Sequence, residues 1–387
     1  MAVDSAVWAE DTLPANPENS VRDLIKSNLA LLLTSIASFI LMGAGTALYG
    51  PALPVFARSF GLNIGTAGLL ISAHWIGCAM GVVVMFFIGP RATPRLVVIL
   101  MTLGVGLMAA GIGWVLTVLG ALMFGAGYGC ATVVFNPRML RAFGARGPAM
   151  LSLLNATFGI GAIGAPLVFV ALGNDPVLSF AICAAIGIVI TLSAGPAGRD
   201  ATVAATTSTM PFRLNLPMLI FGAVAISVEA CLTGLGPTAL INAGLSETLA
   251  AQLLSAFFFA FLAARICLML VATLLPAFTL FTLALIGACA SALIAVLWSP
   301  GAGFVALGFF AGMFFPTEYV TATRKMGDNP KVAPTIIGAG LVGGVFAPLL
   351  ISPFLVTMGQ HGFFWVIACT TGLLALGAAT CLRAMNR

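Results

Sequence analysis

GAIGAPL occupies residues 161–167, and GGVFAPL occupies 343–349. Gly161, Ala165, Pro166 and Leu167 are matched by Gly343, Ala347, Pro348 and Leu349 at a displacement of 182, close to half of the 387 residues. A duplicated chain must show a similar displacement elsewhere, and it does. In TALYGPAL (46–53) and LTGLGPTAL (232–240), Gly50-Pro51 is matched by Gly236-Pro237 at 186 residues. Pro137, after Asn136, is matched by Pro316, after Phe315, at 179. The common displacement argues for two halves built alike, with the 161–167 stretch and its copy as small-residue surfaces that let the halves move. Asn136-Pro137 and Phe315-Pro316 are read as closing their glycine-rich helices.

Composition says what the halves are made of. Hydrophobic residues form 61% of the chain and charged ones 7%, against about 25% charged in soluble domains. The mean hydropathy is +1.14. Too few charges exist to cover a water-facing surface, so the chain is an integral membrane protein. The opening MAVDSAVWAEDTLPANPENSVRDLIKS is polar and acidic, unlike a cleaved signal peptide. It is expected to be an irregular tail, with a short surface helix around Arg22 and Lys26 as the alternative. Eight cysteines stand singly without a CxxC pair, as small buried hydrophobes do. No metal-ligand cluster, cofactor motif or nucleophile–base set is visible, so neither a cofactor nor an enzyme is expected.

A spanning helix needs about 20 mostly apolar residues. Twelve such runs begin near residues 29, 64, 96, 116, 148, 176, 216, 247, 277, 303, 333 and 362. They lack the alternation of barrel strands, so the fold expected is an all-α membrane protein of twelve helices in two six-helix bundles. The divisions are a tail at 1–28, a first bundle at 29–194, a linker at 195–215 and a second bundle at 216–387. An even span count with the N-terminus inside puts fourteen of the sixteen Lys and Arg on the cytoplasmic side. That is the bias that orients membrane proteins. Arg58 falls outside and Arg265 inside the eighth span. A bacterial inner membrane with both termini cytoplasmic follows, and the net charge of +5 reflects this asymmetry and no nucleic-acid partner. The lipid bilayer is the partner this composition implies, and the chain is expected to act as a monomer.

Several segments resemble the major facilitator superfamily, and within it the fucose/galactose/glucose:proton symporter family. GAGYGCATVVFNPRMLRAFG (125–144) is similar to that family's fourth span, and FFPTEYVTATRKMG (314–327) to the Tyr-Pro-Thr pattern of its tenth. IIGAGLVGGVFAPLL (336–350) resembles its eleventh, and LAARICLML (262–270) a Gly-Arg pattern in its eighth, with Ala264 for the glycine. The resemblance implies the major facilitator fold and proton-coupled sugar uptake. Three departures stand against the sugar. Gly50 occupies the place of the family's first-span carboxylate, and Thr132 that of its fourth-span glutamate. The loop FFIGPRATPRL (86–96) keeps Arg91 and Arg95 but has no Asp. An exporter of drugs or metabolites and an uncoupled facilitator stay open as alternatives.

Ionisable groups at membrane depth are functional candidates by default. Glu229 lies mid-span, with Gly236-Pro237 expected to loosen the helix beyond it. Burial favours a neutral carboxyl and a nearby cation the charged form, so alternating exposure suits a proton carrier; a hydrogen-bonded structural carboxyl is the other reading. Glu318 and His74 are further coupling candidates, with an ion pair between Glu318 and a fourth-span base such as Arg138 equally open. Arg265 suits an anionic ligand or structural pairing. Tyr49, Trp75, Tyr128, Asn136, Asn155 and Gln252 supply the phenol, indole and amide groups that would line a site for a polar solute. Phe257, Phe258 and Phe259 are expected to pack or to face lipid.

Overall fold

The computed structural model describes residues 17–88, 92–195, 197, 212–327 and 331–386. Most of the linker expected at 195–215, and the first sixteen residues, lie outside the described residues. The elements in order are α1 (Pro17–Ser27), α2 (Leu29–Ser59), α3 (Ile64–Ala67), α4 (Leu69–Ile88), α5 (Pro94–Ala109), α6 (Trp114–Phe143), α7 (Gly147–Ala171) and α8 (Pro176–Ser193). They continue with α9 (Leu216–Asn242), α10 (Glu247–Val271), α11 (Ala277–Leu297), α12 (Pro300–Met326), α13 (Val332–Ile351) and α14 (Gly362–Asn386). No strand occurs among the described residues.

Helix starts coincide with polar caps. Thr93, Asp175, Asn215, Ser246 and Ser299 each accept a hydrogen bond from the backbone N–H three residues on. A free N–H in the first turn is thereby satisfied. Four of these five caps precede a proline in the first turn, where its missing N–H costs nothing.

Among the described residues, eleven helices are long and apolar enough to cross a bilayer; the chain is a multi-pass membrane protein. The expected third span, α5, is only 16 residues long, about 24 Å of helix. It packs against α6 and α8. Three other expectations are corrected. Residues 17–27 form a helix, not an irregular tail. Pro137 and Pro316 do not close their helices, since α6 continues to Phe143 and α12 to Met326. Pro237 likewise sits within an α9 that runs on to Asn242. An internal proline removes one backbone hydrogen bond, a loss that a helix held by its neighbours tolerates.

The two sets of six spans pack alike. In the first, α2 packs on α7 and α8, α4 on α6, and α5 on α6 and α8; in the second, α9 packs on α13 and α14, α10 on α12, and α11 on α12 and α14. Each pair in the second set is the counterpart of one in the first. The close approaches repeat residue by residue. Gly125 and Gly129 of α6 lie on the backbone carbonyls of His74 and Cys78 of α4; Gly308 and Gly312 of α12 lie on those of Phe257 and Phe261 of α10. All four correspondences are displaced by 183 residues, as in 308 − 125 and 257 − 74. Gly161 lies against the Ile40 carbonyl of α2, and Gly343 against the Ala223 carbonyl of α9. The opening repeat therefore packs fifth helix on first within each half. It is not a sliding surface between the halves.

Contacts between the halves are made by α7 with α10, α4 with α13, and α2 with α9 and α10. Most of the lysines and arginines of the described residues cluster at one face, near the ends of the spans. There Arg324 and Lys325 donate to the Met385 and Ala384 carbonyls at the end of α14. Arg95 donates to the Thr191 and Leu192 carbonyls at the end of α8, where cations complement the helix dipole. The hydrogen bonds and ion pair that join described residues of the two halves lie toward the opposite face. Arg58 pairs with Glu247, Asn174 donates to Thr248 at 3.0 Å, Ser72 to the Val345 carbonyl at 3.1 Å and Ser352 to the Gly65 carbonyl at 3.3 Å.

A β-carbon at Gly161 or Gly343 would press on backbone, which cannot rotate away. Gly161→Ala and Gly343→Ala each destabilise by about 1–3 kcal/mol, read as a lowered unfolding midpoint of the detergent-purified protein. Gly164→Ala, with open space around it, leaves the midpoint unchanged.

Candidate functional site

Helix depth sorts the candidate residues first. Glu229 stands thirteen residues from either end of α9 (Leu216–Asn242), and Tyr128 at the middle of α6 (Trp114–Phe143). Arg265 lies one turn and a half past the middle of α10 toward the basic face. Tyr49 and His74 lie in the opposite halves of α2 and α4.

These residues meet between the halves. Tyr49 Oη and His74 Nδ1 are 3.2 Å apart and share a hydrogen bond whose direction depends on the imidazole tautomer. The His74 ring is enclosed by Tyr49, Trp75, Phe124 and Tyr128, with ring centroids at 5.1, 5.4, 5.6 and 5.3 Å. Tyr128 stands edge-on to Phe158 of α7 at 6.3 Å. From the other half, Glu229 and Arg265 lie within electrostatic reach of each other and of the Tyr128 phenol. They form no direct ion pair. Arg265 rests over the Phe261 ring at 4.6 Å from its centroid, a cation–π contact one turn back along its own helix.

Hydrogen-bond accounting singles out the centre. Glu229 Oε2, Arg265 Nε and His74 Nε2 are buried without a partner among the described residues. Buried polar groups are almost always paired, and an unpaired charge out of water is costly. An acid and a base are thus left apart and unsatisfied at membrane depth.

The remaining candidates are not brought into this cluster. Gln252 is exposed and thirteen residues before Arg265 on α10, about 20 Å along the helix. Asn136 is half-buried and two turns below Tyr128. Asn155 is exposed and donates to the Leu151 carbonyl of its own helix at 3.0 Å. Glu318 is 2% exposed and faces Gly222 of α9. The Glu318–Arg138 pair does not form, because Arg138 donates to the Val134 and Ala92 carbonyls. Phe257 and Phe258 are buried, while Phe259 is 67% exposed. Phe261, Phe124 and Phe158 belong to the cluster although sequence reasoning passed over them. The spacing of Phe261 four residues before Arg265 was the available signal.

Among the described residues, twelve helices form two equivalently packed sets, the arrangement of the major facilitator fold. No protein-family profile and no curated protein matches the chain. Solved structures do. The D-xylose–proton symporter matches with a TM-score of 0.69 at 15% identity, covering 90% of this chain and 97% of that one. The nucleoside transporter NupG matches at 0.70 and 15%, covering 93% and 100%. The E. coli fucose:proton symporter FucP matches at 0.62 and 17%, covering 90% and 98%.

Tyr49→Phe deletes the phenol that meets His74 and leaves a buried imidazole nitrogen unsatisfied. It lowers stability by about 1–3 kcal/mol, measured as the midpoint shift of the purified protein. In a His74→Leu background the same change costs markedly less.

Proposed function

We propose that the protein is a secondary active transporter that couples uptake of a small polar solute to protons by alternating access. The observation that carries this reading is Glu229, unpartnered at the middle of α9 and in the field of Arg265. A carboxyl so placed binds a proton when one side is open and yields it when the other is. The likeness to proton symporters of sugars supports the same reading, as do two halves that can rock as rigid units around a central site. Tyr49, His74, Trp75 and Tyr128 from the first half and Arg265 from the second line that site, and Glu318 is a second buried carboxyl on its basic side. Export, the alternative, has no observation of its own in the arrangement.

In proteoliposomes with an imposed pH gradient, a panel of labelled sugars, nucleosides and organic acids identifies an accumulated solute. Glu229→Gln abolishes that accumulation by at least about tenfold while solute exchange across the membrane persists, because the neutral amide mimics the protonated carrier. Undiminished accumulation by the variant rejects Glu229 as the carrier.

Alternating access also requires the joined face to part. Arg58→Glu sets two carboxylates against each other there and raises hydrogen–deuterium exchange in residues 60–68 and 172–175. Combining it with Glu247→Arg restores the pair and the protection.

A further inference from the structure

We infer that the solute is a small monocarboxylate, held by Arg265, and that the proton travelling with it sits on Glu229. The inference rests on the transport reading and names its substrate class. Arg265 is the one cation among the described residues at this depth. Arg138 lies in the last two turns of α6 and is committed to carbonyl oxygens, and the other described bases lie near helix ends. Its guanidinium is held against Phe261 and its buried Nε has no hydrogen-bond acceptor, which leaves that edge of the fork to a carboxylate.

Charge decides between solute classes. Glu229 is the nearest counter-charge, close enough to be felt and too far to pair with Arg265. When Glu229 is ionised it neutralises the guanidinium electrostatically and repels a second anion. When it takes a proton, the guanidinium is left without a counter-charge, and an incoming carboxylate supplies one. Proton and carboxylate then enter together as a net neutral pair, and loss of the proton expels the anion. The groups facing Glu229 from its neighbours fit this account. They are Arg265 of α10 and the Tyr128 phenol of α6, with His74 of α4 behind it. Glu318 of α12 lies across Gly222, two turns away, while α13 sets Gly340 against Ile226 and α2 sets Gly50 against the Thr233 carbonyl, each about one turn from Glu229. A dicarboxylate would carry one charge with no cation to meet it. A neutral polyol would leave Arg265 as unpaired as before. The Tyr128 and Phe158 rings offer the carboxylate's organic body an apolar wall.

The test is thermal stabilisation of the full-length detergent-purified protein by benzoate and lactate. Controls are benzamide and lactamide, succinate, galactose and alanine. One or both monocarboxylates raise the unfolding midpoint, while the amides, succinate, galactose and alanine do not. Binding at about pH 8 is about tenfold weaker than at about pH 6, because the anion then competes with ionised Glu229. Arg265→Gln removes the shift and Arg265→Lys retains part of it. Glu229→Gln binds equally at both pH values, a readout that stands even if the Arg265 variants fail to fold. No stabilisation by either monocarboxylate, equal stabilisation by the matching amides, or full binding by a folded Arg265→Gln protein overturns the inference. Gradient-driven uptake of a neutral solute without carboxylate binding would reject the substrate class and leave the transport reading standing. Arg265-dependent carboxylate binding without any flux would do the reverse.

Discussion

Inside a bilayer the helices gain nothing by hiding apolar surface from one another, because lipid is as apolar as leucine. What holds them is close contact of backbone on backbone, and that needs glycine. The contacts of Gly125 and Gly129 with α4, and of Gly308 and Gly312 with α10, meet this constraint. They also decide where the chemistry sits. The carbonyl under Gly125 belongs to His74, and the carbonyl under Gly312 belongs to Phe261, the ring that carries Arg265. Helix packing and site placement are therefore a single feature of the fold. A β-carbon at either glycine would displace a residue of the central cluster together with its helix.

The number and starts of the spans were legible because they depend on one-dimensional signals. Apolar run length, caps such as Asp175 and Ser299, and first-turn prolines all lie along the chain. Helix ends near Pro137 and Pro316 were misread because proline breaks a helix only where nothing else holds it. Helix α1 was misread as tail because a short polar segment has little intrinsic tendency to be helical.

Asn136 and Gln252, two turns or more along their helices from the cluster, were misjudged in depth, whereas the depth of Glu229 and Tyr128 was legible. Direction around the helix was not. A helix that is apolar all round has no polar face to show which side meets its neighbours. Asn155 was therefore grouped with Tyr128 although it turns elsewhere. Phe261 was missed for the complementary reason: in a chain with 28 phenylalanines, one more carries no signal until its ring is seen beneath a guanidinium.

The repeat explains the scaffold, and its violations mark the site. At the displacement of 183 residues that relates α4 to α10 and α6 to α12, His74 corresponds to Phe257, Tyr128 to Ala311 and Arg265 to Val82. On α2 and α9 the same displacement, which relates Ile40 to Ala223, sets Glu229 against Thr46 and Tyr49 against Leu232. Each of these five residues corresponds to an unlike residue in the other half, while the glycines packed on α4 and α10 are kept. The first half supplies hydrogen-bonding rings and the second supplies opposite charges. A symmetric site would set like charge against like across the interface, or hold no charge at all. Asymmetry is laid on a symmetric frame, and within the central cluster only the second half holds the charges.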